Sequence, residues 1–129
     1  MTVTEHLTAA QFQQLAKAEK HGRIPRSSKL RRTVDGITFD SLAEANRWKV
    51  LRLAEIAGRI SRLTRQPKYP LLVNGMLVAH YIGDFEYLNE TGQLILEDVK
   101  SQHTRKDPVY RLKSKLMVAC YGMQIREIV

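Results

Sequence analysis

Asp84, Asp98 and Lys100 are the residues of this sequence best suited to chemistry. The stretch GDFEYLNETGQLILEDVK, residues 83–100, gathers Asp84, Glu86, Glu90, Glu97 and Asp98 and closes on Lys100. Elsewhere the chain is strongly basic: 21 Lys and Arg against 13 Asp and Glu leave a formal charge of +8. Two carboxylates on neighbouring strands repel and raise each other's pKa unless a cation sits between them. Mg²⁺ meets that need with oxygen ligands at about 2.0–2.1 Å, several retained waters and one or two protein carboxylates. Asp84 and Asp98 suit such a site, with the Val99 carbonyl as a further oxygen, Mn²⁺ as a substitute ion and Lys100 alongside. Where the substrate brings negative charge, the ion polarises a phosphoryl oxygen and acidifies a bound water, and Lys100 orients that water or stabilises charge building at phosphorus. That chemistry is phosphodiester hydrolysis. Spacing alone is also met by an ordinary acidic strand carrying an Asp98–Lys100 surface ion pair.

The elements must place these groups. In a strand, alternate side chains share a face, so Ile82, Asp84 and Glu86 look one way and Tyr81, Phe85 and Tyr87 look towards the core. On the next strand Leu96, Asp98 and Lys100 align, with Ile95, Glu97 and Val99 opposite. Three strands are expected, over 66–73, 76–88 after the Asn74-Gly75 turn, and 93–100 after NETG, as an antiparallel meander. A helix precedes them: Ser41 with Glu44 is a capping-box pattern, and Gly58 ends the apolar run through Trp48, Leu51 and Ile56. Asp107 and Pro108 open a second helix that stops at Gly122, and 123–129 form a last strand. A small hairpin is expected at Asp35-Gly36. Residues 4–21 read as an amphipathic helix, and Lys17 to Arg32 as a basic arm, either a solvated linker or a phosphate contact through Arg26, Lys29, Arg31 and Arg32. The reading is an α/β (α+β) fold, with 1–32 as helix and arm and 33–129 as the domain; a chain of 129 residues has room for one core.

Asp84 followed by Asp98-Val99-Lys100 resembles the signature of the PD-(D/E)XK nuclease superfamily: an acid at a strand end, then an acid, any residue and a lysine on the next strand. FDSLAEANRW, RQPKYPLLVNG, YIGDFEY and LEDVKSQHT, in that order, are similar to small phage and prophage members and to transposon-end nucleases. The resemblance covers about residues 35–129. It implies a restriction-endonuclease-like core, with Asp84 and Asp98 binding Mg²⁺ and Lys100 catalytic. It further implies that Glu44 serves a second metal or its water, although capping explains Glu44 as well, and that Gln66 contacts the metal water or the DNA backbone. Gly83 stands where the motif has proline. Glu97 adds an acid, and a β-bulge would turn it inward, which makes it the reserve ligand for Asp98. The implied activity is a metal-dependent endodeoxyribonuclease, structure-selective for branched or recombination DNA, including Holliday junctions. The implied assembly is a homodimer, acting in the bacterial host cytoplasm. The alternative is a non-catalytic DNA-binding or assembly protein that kept the fold.

Charge and composition set the partners. A basic chain favours polyanions, nucleic acid foremost. Arg105, Lys106 and Lys113 follow the tripeptide, and Lys113 is either a phosphate contact or part of a solvated helix face. No apolar run approaches the ~20 residues of a membrane span, and Met1 to Ala10 lack a signal-peptide pattern. No membrane association and no small-molecule cofactor are expected. Cys120 is the single cysteine, read as a small apolar residue near a helix end. Tyr110 and Tyr121 read as core or interface residues, and His103 as the only histidine near the site.

Overall fold

The computed structural model describes residues 8–11 and 28–129. Arg26 and most of the helix and arm expected over 4–32 lie outside the described residues. Thr8 and Gln11 cap a helix start reciprocally, each side chain bonding the other's amide, at 3.2 and 2.9 Å. The chain divides into two compact units, 1–50 and 51–129.

In the first unit, Asp35 and Gly36 take the positive φ values of 53° and 76° that a tight hairpin turn requires, which joins β1 (Thr33–Val34) to β2 (Ile37–Thr38). Residues 28–32 form a turn that leads into this hairpin, with the amides of Arg31 and Arg32 bonded to the Ser28 carbonyl. Arg32 then reaches across to the carbonyls of Phe39 and Asp40 at 3.1 and 3.2 Å. Ser41 caps the helix: its hydroxyl accepts the Glu44 amide at 3.1 Å and starts helix α1 (Leu42–Ile56). Trp48 donates to Asp35 at 3.0 Å, and its ring lies 5.9 Å from that of Phe39.

The second unit holds a four-stranded sheet and a separate hairpin. Along the sheet the order is β3 (Ser61–Arg65), β6 (Phe85–Leu88), β7 (Leu94–Val99), β8 (Arg126–Ile128); neighbours are antiparallel except β7 and β8, which run parallel. The hairpin pairs β4 (Lys68–Val73) with β5 (Met76–Ile82) around Asn74-Gly75. Helix α2 (Pro108–Tyr121) connects the parallel pair, capped by Asp107 accepting from Tyr110 and closed by Gly122 in the left-handed region. A core of Leu71, Tyr81, Leu96, Tyr110 and Met117 is shared by the hairpin, β7 and α2. Cys120 is half-buried near the end of α2, as expected for a small apolar residue.

Three expectations change. The strand first in the meander is β3, which the charged stretch SRLTR concealed, and the expected 66–73 strand belongs to the inserted hairpin. The expected 76–88 strand breaks at Gly83 and Asp84 into β5 and β6. Tyr81 and Phe85 therefore do not share a face. Tyr81 lies in the cluster with Leu96, whereas Phe85 and Tyr87 stand opposite Glu97 and Ile95 on the other pleat.

Gly83 allows the break. Its amide donates to the Pro67 carbonyl at 3.0 Å, so a proline here would lose a ladder bond. A Cβ at this position would come 2.7 Å from Leu96 Cδ1, inside the core. Gly83→Ala is expected to cost about 1–3 kcal/mol through that overpacking, and Gly83→Pro more. Urea unfolding measures both, and a wild-type midpoint in Gly83→Pro would refute the role given to these contacts.

Candidate functional site

Asp84 sits in the break, its backbone fixed on both sides. Its carbonyl accepts from Gln66 and its amide donates to the Glu97 carbonyl, both at 3.0 Å. Its Oδ2 accepts the Val99 amide at 2.7 Å, which ties the side chain to the end of β7. Asp98 comes to the same place from β7. Its Oδ2 accepts the Tyr81 hydroxyl at 2.6 Å and its Oδ1 faces Lys100 Nζ at 3.5 Å. The two carboxyl groups meet closely enough for a protonated Asp98 to hydrogen-bond to Asp84.

Burial dominates the electrostatics. It pushes Asp98 from 3.8 up to about 7, with the bond and charge of Asp84 adding to the rise and Tyr81 and Lys100 opposing it. Burial, then the Asp98 charge, also drives the Tyr81 hydroxyl well above its usual range, so it remains a donor. The Asp98 and Lys100 side chains are only 6% and 22% exposed, which removes the surface ion pair as a description. Lys100 Nζ also stands 4.4 Å from the centre of the Tyr110 ring, a cation–π contact. Asp98, Lys100, Tyr81, His80, Lys113 and Tyr110 line a cavity of about 240 Å³.

Among the described residues no three His, Cys, Asp or Glu side chains are arranged to hold a metal ion. An ion here would rest on Asp84 and Asp98 alone, the number of protein carboxylates that Mg²⁺ commonly uses. The donor set fits a hard cation. Both ligands are oxygen acids, each has one oxygen engaged by a hydrogen bond that sets its direction, and Tyr81 and Lys100 offset only part of the cost of charging Asp98.

Residues 26–128 match the family model described as "Protein of unknown function (DUF1064)". The chain belongs to the DUF1064 family. No curated protein and no solved structure matches it.

The remaining candidates of this DUF1064 chain fall in varied places. Glu97 is fully buried on the pleat opposite Asp98, where it accepts from Tyr87, so the bulge that would make it the reserve ligand is not formed and β6–β7 register is regular. Glu44 lies in the first unit as the capped residue of α1. Gln66 is exposed at φ 51°, and its amide rather than its side chain touches Asp84. Lys29, Arg31 and Lys106 are exposed, whereas Arg32 is committed to carbonyls and Arg105 to Glu127 at 2.8 Å. His103 is exposed at the short turn Thr104–Lys106, and the histidine lining the acid cavity is His80. The chain break hid His80 and Tyr81, because only it turns the end of β5 towards Asp98.

An acid with a raised pKa binds an extra proton in the folded state between its unfolded and folded values, so stability falls as pH rises. For Asp98 that window runs from about 4 to about 7. Melting temperatures in chelator should therefore drop across it for wild type relative to Asp98→Asn, and Tyr81→Phe should move the drop to higher pH. Parallel profiles for wild type and Asp98→Asn would contradict the shift.

Proposed function

We propose that this chain is a metal-dependent endodeoxyribonuclease with a restriction-endonuclease-like core. The observation that carries the reading is the meeting of Asp84 and Asp98 beside Lys100 in a strongly basic chain, with Asp98 and Lys100 lining a cavity. Strand order supports it: an antiparallel trio followed by a helix and a fourth strand parallel to the third has the element order of that superfamily, with the β4–β5 hairpin as an insertion.

In this reading Asp84 and Asp98 hold Mg²⁺, or Mn²⁺ in its place, with the Val99 carbonyl as a further oxygen. Bound there, the ion supplies Lewis-acid polarisation of a phosphoryl oxygen and a more acidic water. The Val99 amide and the Tyr81 hydroxyl each hold one oxygen of the two carboxylates, which fixes their orientation. Lys100, held by Asp98 and the Tyr110 ring, places its ammonium where negative charge grows as water oxygen joins phosphorus and a P–O ester bond breaks. Lys113, on the same cavity, adds attraction for the backbone. Basic residues without a base-reading element favour recognition of DNA shape, hence branched or recombination DNA such as Holliday junctions. A homodimer acting in a bacterial host's cytoplasm, encoded by phage or prophage, completes the proposal. The exposed Leu72, Val73, Met76, Leu77 and Val78 of the hairpin suit a second copy.

A second reading is DNA binding without turnover, favoured by the absence of a three-acid cluster among the described residues. Cleavage assays on duplex and four-way-junction DNA with Mg²⁺, Mn²⁺ or chelator separate the two. Metal-dependent nicking is expected, absent in Asp84→Asn and lowered by about 10²–10³-fold in Lys100→Met, the size of losing one charge-stabilising donor. Both variants should still bind DNA. Undiminished turnover in Asp84→Asn would remove Asp84 from the site, and no cleavage under any metal would favour the second reading. Mg²⁺ or Mn²⁺ should also raise the melting temperature above pH 7, where Asp98 is ionised, and leave that of Asp84→Asn unmoved.

A further inference from the structure

Tyr110 is a wall of two cavities. Besides the acid cavity, it lines a second one of about 550 Å³, with Gln102, Lys106, Arg111, Lys115 and the Arg105–Glu127 pair. Arg111 and Lys115 lie four residues apart on α2 and so share one face of the helix. Lys106 approaches from the turn before the helix. Glu127 is held by Arg105 at 2.8 Å, whereas Lys106, Arg111 and Lys115 have no carboxylate partner among the described residues. Like charges brought around one concavity repel each other unless an anion enters.

We infer that this cavity is a backbone-phosphate subsite for a single nucleic-acid strand, adjoining the phosphate presented to Asp84, Asp98 and Lys100. The identity of the ligand rests on the nuclease reading above. Size and shape favour a single strand. The cavity is within the ~300–1,000 Å³ range of pockets that enclose one small ligand, and a duplex presents its phosphates on a convex cylinder whose major groove is about 12 Å wide. The shared Tyr110 wall makes the two cavities neighbours along one strand. Lys100 occupies a face of that ring, so a base cannot stack there. The grip is therefore on phosphates and indifferent to sequence. A substrate unpaired beside the cleavage point would fill both cavities, which gives the preference for branched DNA a physical basis.

The test uses the full chain in chelator, so that binding is read without turnover. Arg111→Gln/Lys115→Gln is compared with Arg59→Gln/Arg62→Gln, a pair of exposed residues outside both cavities that removes the same charge. Anisotropy of fluorescein-labelled single-stranded DNA is followed against salt. The groove variant should lose about 1.4 from the log–log salt slope, two contacts at about 0.7 each, and bind about tenfold more weakly near 0.1 M salt. The control pair should keep the wild-type slope, and Arg111→Lys/Lys115→Arg should recover it. A wild-type slope in the groove variant, or an equal loss in the control or on duplex DNA, overturns the subsite. Binding with the expected signature but no cleavage of any DNA would defeat the nuclease reading and leave the subsite standing. Cleavage together with a wild-type slope in the groove variant would do the reverse.

Discussion

Burial of Asp98 beside Asp84 is the constraint on which the site of the 51–129 unit depends. Burial first, and the neighbouring Asp84 second, favour a protonated Asp98 over two charges in one low-dielectric corner, which pushes its pKa up to about 7. Everything close to them serves to hold that position. Asp84 is pinned by the Val99 amide and by ladder bonds to Gln66 and Glu97. Asp98 is pinned by Tyr81 and steadied by Lys100. An arrangement built only for stability would seldom bury an acid pair, because well-packed apolar residues of similar volume do as well or better.

Tyr110 separates a mixed-charge cavity from a basic one. On the cavity it shares with Asp98, two acids, Asp98 and Asp107, face two lysines, Lys100 and Lys113; on the other, Lys106, Arg111 and Lys115 set the field. Burial, followed by the charge of Glu127, keeps its hydroxyl protonated, so the wall itself carries no charge that would blur the boundary. Lys100 over its ring, with Lys113, places cations on the Asp98 side. A polyanion approaching this unit therefore meets three cations around one cavity and, in the other, two lysines beside the acids.

Much of this was readable in the residues. Caps and turns follow from local chemistry, so Ser41, Asp107-Pro108, Gly122 and the Asn74-Gly75 turn placed both helices and the hairpin tip correctly. The pairing of Asp98 with Lys100 followed from period-two alternation within one strand. What depended on contacts between distant segments was not readable. Period-two alternation does not cross Gly83, where the chain breaks, so Tyr81 and His80 face Asp98 for a reason local pattern does not carry. Ser61–Arg65 escaped notice because an edge strand of charged and polar residues has no apolar rhythm. Arg32 and Arg105 looked free because charge counting does not reveal a carbonyl or a glutamate waiting nearby in the fold.

The β4–β5 hairpin enters and leaves the sheet at a single point. Gln66 bonds to Asp84 and Pro67 to Gly83, so the two ends of the excursion are clasped together before it begins. Its far tip, Asn74-Gly75, is remote along the chain from that clasp and bears exposed Val73 and Met76 on either side. Lengthening a loop costs little, about 0.6 kcal/mol for each doubling. The tip is thus where relatives of this chain can gain or lose residues, remodelling an outer surface while the acids at the base keep their positions.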